Sequence, residues 1–170
     1  MTITTLAPDT LYTMDAVFFD FTAALRPETG GDPAGSAADR IDESARQLVR
    51  SLYRAGVKIA VLGAATEAQL LPVLRRAGIL ELISVIVTTE ELPGHPPHVS
   101  AAALAARQLG LNESRRVAVF ADTLTGVQDA VQEGMNTIAV SGCNPPLAFE
   151  LTTQLVVPRI NLDCLSLKLT

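Results

Sequence analysis

Short apolar runs alternate with segments of helical length along most of this chain, and this alternation constrains the fold more than any other feature. The runs are rich in β-branched and aromatic residues and lack helical periodicity, which is typical of buried strands. Continuous apolar strands separated by helices predict a parallel sheet with helices on both faces, a three-layer α/β/α fold. Five runs have this character, and a sixth could follow: residues 15–20, 57–62, 83–87, 117–120 and 136–140, then 155–157.

The segments between the strands have the apolar spacing of amphipathic helices, and a glycine follows each one at the position where helices commonly end. The chain is long enough for one domain with a substantial core, so we predict a single domain over residues 1–170. Its first 14 residues are polar and Thr-rich and are expected to form a loosely held arm. The predicted helices cover residues 41–54, 66–77, 99–109 and 123–132.

Composition excludes several classes of function. The net charge is −5 and the 13 basic residues are spread along the chain, whereas a nucleic-acid surface needs a concentrated basic face. No apolar run approaches the ~20 residues of a membrane span, and no basic region precedes an apolar segment at the start. The two cysteines, Cys143 and Cys164, have no spacing typical of a disulfide framework or metal site. We therefore expect a cytoplasmic protein that binds neither nucleic acid nor membrane.

Polar residues follow the predicted strands at the edge where parallel sheets bind ligands, which is beyond the carboxyl ends of the strands. Asp20 ends the first strand, and Asp122 follows the fourth. We predict the sheet order 3-2-1-4-5 for the first five strands, with these two carboxylates adjacent. The other residues at this edge are Thr22, Gly63 to Thr66, residues 94–98, Thr123 and residues 141–144.

Four segments of this chain resemble the motifs of the haloacid dehalogenase superfamily, and one of them, residues 57–62, resembles the second-motif strand, which Gly63 follows. The stretch FFDFTAAL at residues 18–25 resembles its first motif, DxDGT, and residues 94–96, Gly-His-Pro, resemble the Gly-Lys-Pro of its third. Residues 119–130, VFADTLTGVQDA, resemble the fourth motif, VFEDSxxGVxAA, and an AGM-like EGM follows at 133–135. The order of segments is similar to the β-phosphoglucomutase-like and phosphoglycolate-phosphatase-like subgroup over nearly the whole chain.

The resemblance implies catalytic roles, and this chain departs from most of them. Asp20 stands at the position of the nucleophile, and Asp122 stands at one of the two acids of the fourth motif. This chain has Thr22 at the position of the general acid/base and Gly63 at the position of the phosphate-binding Ser or Thr. It has His95 at the position of the Lys, and Ala121 at the position of the other acid of the fourth motif. We therefore expect weak Mg²⁺ binding by Asp20 and Asp122, and negligible turnover of simple phosphomonoesters, since the charge of the phosphoryl group would be poorly neutralised.

Several readings of the site remain open from the sequence. Asp20 could attack a carbon centre without metal, as in the 2-haloacid dehalogenases, with Thr22 in place of the second acid and Arg26 or His95 binding the substrate. Gly63 and Thr66 are further candidates for substrate contact, although Thr66 and Asp122 could each be only a helix N-cap. The alternatives are a weak or repurposed hydrolase, an inactive domain that binds a protein partner, and a true Mg²⁺-dependent phosphatase, which fits the substitutions least.

The cap over the site is also predicted to be missing. Members of the resembling subgroup insert a helical cap between the first and second motifs, and here residues 26–56 leave room for one loop and one helix. The helix must bury its apolar face on the sheet, so it cannot also close the site. Either a second subunit covers the open edge or the substrate is large, and of the two we predict a homodimer.

Overall fold

The computed structural model describes residues 10–21, 41–63, 66–92, 99–121, 123–140 and 155–157. Within them, six parallel strands form one sheet in the order β3-β2-β1-β4-β5-β6. The predicted order of the first five strands is confirmed, and the sixth run adds an edge strand beside β5. The strands are β1 (Ala16–Asp20), β2 (Lys58–Gly63), β3 (Val85–Thr88), β4 (Val117–Ala121), β5 (Asn136–Val140) and β6 (Leu155–Val157).

Within the described ranges, four helices cover the two faces of the sheet. The buried residues of α1 and α2 pack with one set of inward-facing strand residues, and those of α3 and α4 pack with the opposite set. This distribution gives the three-layer arrangement that the apolar strands predicted. Among the described residues, no helix is long and apolar enough to cross a membrane. The helices are α1 (Glu43–Arg54), α2 (Glu67–Arg76), α3 (Ala101–Gln108) and α4 (Leu124–Gln132).

The alternation of side chains along β1 determines which face carries its last residue. Val17 and Phe19 point into the layer of α1 and α2, while Ala16 and Phe18 point into the layer of α3 and α4. Because side chains alternate with a period of two, Asp20 lies on the same side as Phe18. The alternation of buried side chains therefore places the Asp20 carboxylate on the α3/α4 face, at the carboxyl end of the strand.

Helix α1 belongs to the core, as expected from its amphipathic pattern. Its buried residues include Leu48 and Leu52, which are fully enclosed against the sheet, so the helix is not available as a lid. The helix begins two residues later than predicted, because Asp42 is its N-cap and accepts a hydrogen bond from the Ser44 amide at 2.8 Å.

The segment before β1 is more ordered than the sequence suggested. Residues 1–14 were expected to form a loosely held arm, but Thr10–Thr13 form a 3₁₀ turn and Leu11 is only 4% exposed. Met14 also packs against the core on the α1/α2 side. Burial of an apolar side chain holds this end of the segment, whereas residues 1–9 lie outside the described part.

Candidate functional site

A cleft of about 180 Å³ opens at the carboxyl edge of the sheet, between the ends of β1 and β2 and the helices α3 and α4. Its charged lining residues, within the described part of the chain, are both carboxylates, Asp20 and Asp129. Two threonines and two glycines bring hydroxyl groups and backbone to the cleft, and alanines and leucines form the rest of its wall. These other residues are Thr123, Thr125, Gly63, Gly126, Leu62, Leu92, Ala101 and Ala102.

Asp20 is held at the cleft by its pairing with β2. Its Cα pairs with that of Leu62 in the parallel register of β1 and β2. The pairing continues beyond the strand, because the amide of Phe21 donates to the Leu62 carbonyl at 2.7 Å. The Asp20 side chain is partly buried, so it is supported by the sheet while remaining at the surface of the cleft.

Helix α4 approaches Asp20 closely because it has a glycine at the point of contact. A Cβ at Gly126 would lie 3.0 Å from Oδ2 of Asp20 and 3.0 Å from Oγ1 of Thr123. The Gly126 amide donates to that Thr123 oxygen at 3.1 Å, which makes Thr123 the N-cap of α4. The first turn of α4 thus packs its backbone directly against the carboxylate.

The side chain of Thr123 caps α4, and the helix begins at Leu124, one residue later than predicted. Asp and Thr are both common at N-caps, so the local sequence did not distinguish Asp122 from Thr123. Asp122 lies outside the described residues, so its capping role and its position relative to Asp20 stay predictions.

We expect Gly126→Ala to couple energetically to Asp20. In an unhindered helix, Ala is favoured over Gly by about 1 kcal/mol, but here its Cβ would crowd the Asp20 carboxylate. In the wild type, Gly126→Ala should therefore raise the free energy of unfolding little or not at all. In the Asp20→Ala background, the same substitution should raise it by roughly 0.5–1 kcal/mol more than in the wild type. Urea denaturation of the four proteins measures this difference. An identical effect of Gly126→Ala in both backgrounds would contradict the contact, since the crowding by Thr123 is common to both.

Gly63, at the second-motif position, also lines the cleft. The space that a side chain would occupy at this position is filled by a neighbouring residue. A Cβ at Gly63 would lie 2.8 Å from Cδ1 of Leu70, a fully buried residue of α2. A Ser or Thr side chain at this position would require Leu70 to move. The departure from the family motif at Gly63 is thus matched by the packing of α2.

Thr66 has the structural role that the sequence offered as an alternative to substrate contact. It is the N-cap residue of α2, and its amide donates to Oε1 of Gln69 at 3.0 Å. It is not one of the described residues that line the cleft with Asp20. Its predicted contact with substrate therefore remains a prediction, without support from this geometry.

Asp129 was not among the residues singled out from the sequence. It lies one helical turn beyond Gly126 on α4 and lines the same cleft as Asp20. Partial burial raises the pKa of its carboxyl above the ordinary value, and no hydrogen bond or ion pair of this carboxylate is found among the described residues. The sequence did carry a signal for Asp129. The residue lies beside the apolar stripe of α4, which residues 127 and 130 form, and it is an acid at a position where the fourth motif has Ala.

The remaining predicted site residues lie outside the described part of the chain. Of the seven candidates, the structure describes Asp20, Gly63 and Thr66, and it brings the first two together in one cleft. The proposed roles of the others are therefore carried only by the sequence. These others are Thr22, Arg26, His95 and Asp122.

Magnesium is the ion that the fold suggests, and the described residues do not supply a full set of ligands for it. No group of three or more His, Cys, Asp or Glu side chains arranged for a metal is found among them. Mg²⁺ prefers six oxygen ligands and is often held by one or two carboxylates together with water. Of the two carboxylates that the resemblance assigns to this ion, Asp20 lines the cleft and Asp122 lies outside the described residues.

A larger depression, of about 610 Å³, lies at the opposite edge of the sheet. Its charged lining residues are two basic and two acidic. Nη2 of Arg116 donates to Oδ1 of Asp15 at 2.9 Å, and Nζ of Lys58 donates to the Leu109 carbonyl at 3.2 Å. The hydrogen bond from Arg116 lowers the pKa of the Asp15 carboxyl and raises that of the guanidinium. This depression is at the amino ends of the strands, away from Asp20, so the smaller cleft is the better candidate site.

Comparison with known proteins gives a family match over the central part of the chain. Residues 40–140 match the model of the haloacid dehalogenase-like hydrolases. No curated protein sequence matches the chain.

Several solved structures are similar in fold. A β-phosphoglucomutase-like protein from Thermotoga maritima is 20% identical with a TM-score of 0.64, over 75% of this chain and 59% of that one. An L-2-haloacid dehalogenase is 17% identical with a TM-score of 0.61, over 75% of this chain and 56% of that one. The chain thus spans less than two thirds of these proteins. A haloacid dehalogenase-like hydrolase from Streptococcus pneumoniae is 11% identical with a TM-score of 0.70, over 91% of this chain and 98% of that one.

Proposed function

Because this chain belongs to the haloacid dehalogenase-like hydrolase family, we propose that it is a hydrolase in which Asp20 attacks a small organic substrate. The observation that carries the proposal is the position of Asp20, which ends β1 at the carboxyl edge of the sheet and lines a cleft of about 180 Å³. In parallel α/β sheets this edge is where ligands bind. The cleft is small, which favours a substrate of a few heavy atoms at the reacting end.

The proposed reaction proceeds in two steps. An oxygen of the Asp20 carboxylate forms a bond to a substrate carbon, and the leaving group departs with the electron pair of the bond that breaks. Water then hydrolyses the resulting ester at the carboxyl carbon of Asp20, which releases the product alcohol and a proton and restores the carboxylate. Thr22 replaces the acid that assists a poor leaving group, so a leaving group that needs no protonation suits this site best.

The positions of the other proposed residues follow from the resemblance. Arg26 and His95 would contact the substrate beyond the first and third strands, and Gly63 would allow it to approach the backbone. If Mg²⁺ binds, Asp20 and Asp122 would hold it weakly, and the ion would supply positive charge for a phosphoryl group. The site is proposed to be reached without a full cap domain, since the described part of residues 26–56 packs on the sheet as α1.

An inactive binding domain is the second candidate, and two substitutions favour it. Ala121 stands where the family has an acid, and Gly63 stands where it has a phosphate-binding hydroxyl. Loss of cooperating catalytic groups lowers rates by orders of magnitude and in a non-additive way. In this alternative the open edge of the sheet binds a protein partner rather than a substrate.

The two functions are separated by a substrate screen of the wild type and Asp20→Asn. The panel should contain haloalkanoic acids, haloalkanes, carboxylic esters and phosphate monoesters, each with and without Mg²⁺. Turnover that disappears in Asp20→Asn supports the hydrolase. Phosphomonoester turnover in the typical enzyme range, about 10 per second, would contradict the preference for carbon-centred substrates. No turnover in any class would favour the binding domain.

A homodimer is proposed to cover the open cleft. Leu124, next to the cleft at the start of α4, exposes 43% of its surface and would be buried by a second copy that covers the cleft. We expect sedimentation equilibrium at micromolar concentration to give twice the 18.0 kDa chain mass, and Leu124→Glu to give a monomer. Tyr53→Glu is the matched control, because Tyr53 is 53% exposed on α1, in the layer on the other side of the sheet. A wild-type monomer would refute the dimer.

A further inference from the structure

The charge of the cleft points to a class of substrate. Its two described charged groups, Asp20 and Asp129, are both carboxylates, and no basic side chain lines it within the described part of the chain. An anion entering the α4 side of the cleft would meet like charge in a partly desolvated place, which weakens its binding. An ammonium group would meet opposite charge there.

Asp129 contradicts the local preferences of its helix. It lies in the last turn of α4, where a negative charge is disfavoured by the helix dipole. It is also partly buried without a partner among the described residues, and desolvation raises the pKa of its carboxyl. A residue that opposes local stability without a compensating contact is more readily explained by binding than by folding.

We propose that Asp129 is a specificity-determining residue of the cleft, which selects substrates with an ammonium group and rejects anionic ones at the α4 end. The inference rests on the proposed function, since it assigns the substrate class of the same site. Asp20 reacts with the substrate, and Asp129, one turn along α4 from the Gly126 contact, binds the cationic end. A phosphate group in this position would be repelled by both carboxylates.

A structural role for Asp129 is the competing explanation. The first turn of α3, at Ala101 and Ala102, forms part of the same cleft, and α3 has no acidic residue in its first turn. The Asp129 carboxylate could therefore stabilise the positive end of α3. That end already has an N-cap, because Oγ of Ser100 accepts a hydrogen bond from the Ala103 amide at 3.0 Å. The two explanations predict opposite effects of Asp129→Asn on stability.

The test uses n-butylammonium and inorganic phosphate as probes, titrated at pH 7 and followed by the amide signals of Thr125 and Gly126 in ¹H–¹⁵N spectra. Three proteins are compared: wild type, Asp129→Asn and Glu113→Gln. Glu113 is exposed and lines the depression at the opposite edge, so Glu113→Gln changes the net charge equally without altering the cleft. Melting temperatures of the same proteins are measured at pH 7.

We expect n-butylammonium to bind Asp129→Asn about tenfold more weakly than the wild type, and Glu113→Gln to bind it like the wild type. Phosphate should shift the two amide signals more in Asp129→Asn than in the wild type, and the melting temperature of Asp129→Asn should be equal or higher. Equal n-butylammonium affinity in all three proteins would overturn the proposal. So would a lower melting temperature of Asp129→Asn with unchanged affinity, which would assign Asp129 to the end of α3.

The substrate screen separates this inference from the proposed function. If Asp129→Asn weakens the binding of n-butylammonium but Asp20→Asn retains full activity, the specificity assigned to Asp129 stands and the assignment of Asp20 as nucleophile is wrong. If Asp20→Asn abolishes turnover while the probes bind alike in all proteins, the hydrolase stands and the role of Asp129 is wrong.

Discussion

Asp20→Asn is expected to lower kcat/KM by about 10³-fold or more on whichever substrate the screen identifies, because the amide that replaces the carboxylate is not a nucleophile. The substitution keeps the shape of the side chain, and Asp20 lies at the end of a strand whose other residues are fully buried. The folded state should therefore survive. Steady-state kinetics together with the melting temperature of the variant measure both effects.

The matched control is Asp15→Asn. Asp15 directly precedes the other end of β1, and its partner is the exposed Arg116. Exposed ion pairs contribute little to stability, so this variant should retain its activity and fold. Asp20→Ala guards against recovery of activity by slow deamidation of the introduced Asn. Full activity in both Asp20 variants would exclude covalent catalysis by this residue.

Phe120→Ala is expected to destabilise the protein by about 3–5 kcal/mol. Phe120 is fully buried in β4, and its ring stacks on Phe19 of β1 with centroids 5.2 Å apart and an interplanar angle of 4°. The pair lies at the centre of the sheet, where Phe19 is in register with Phe120. Removing the ring leaves a cavity between the sheet and the α1/α2 layer. Since small domains are stable by about 5–15 kcal/mol, this loss would remove a large part of the total.

Urea denaturation of Phe120→Ala, Phe120→Leu and Tyr53→Ala tests this expectation. Phe120→Leu fills part of the space and should cost less than half as much as Phe120→Ala. Tyr53→Ala removes an aromatic ring that is 53% exposed, and its effect should stay within about 0.5 kcal/mol. A loss below about 1.5 kcal/mol for Phe120→Ala would mean that the core rearranges to close the cavity.

The proposed nucleophile, Asp20, lines the cleft at the carboxyl edge of the sheet, and the described residues add features that belong to this chain. Gly126 brings the backbone of α4 against Asp20, Leu70 occupies the space beside Gly63, and Asp129 adds a second carboxylate. The sequence has Gly63 and His95 at the positions where the resembling motifs have a phosphate-binding Ser or Thr and a Lys. The proposals of a carbon-centred substrate and of a cationic group on that substrate both follow from this difference.

The sequence by itself determined the order of the strands and helices, and that Asp20 lies on the same side of β1 as Phe18. Short apolar runs can be satisfied only by burial on both faces, and the alternation of Val17, Phe18 and Phe19 fixes the direction of the next side chain. These are local patterns of hydrophobicity, which can be read without knowing the partners of any residue. The sheet order was predictable as well, and the structure confirms it.

The tertiary structure decided which residues meet at the site. Thr123 caps α4, and the cap depends on where the helix begins after β4, which the local sequence does not show. Asp129 lines the cleft with Asp20 only because β4 pairs with β1, which places α4 above the end of β1. The sequence of α4 by itself does not show which residues Asp129 will lie near. Contacts between residues distant in the chain are set by the packing of whole helices and strands.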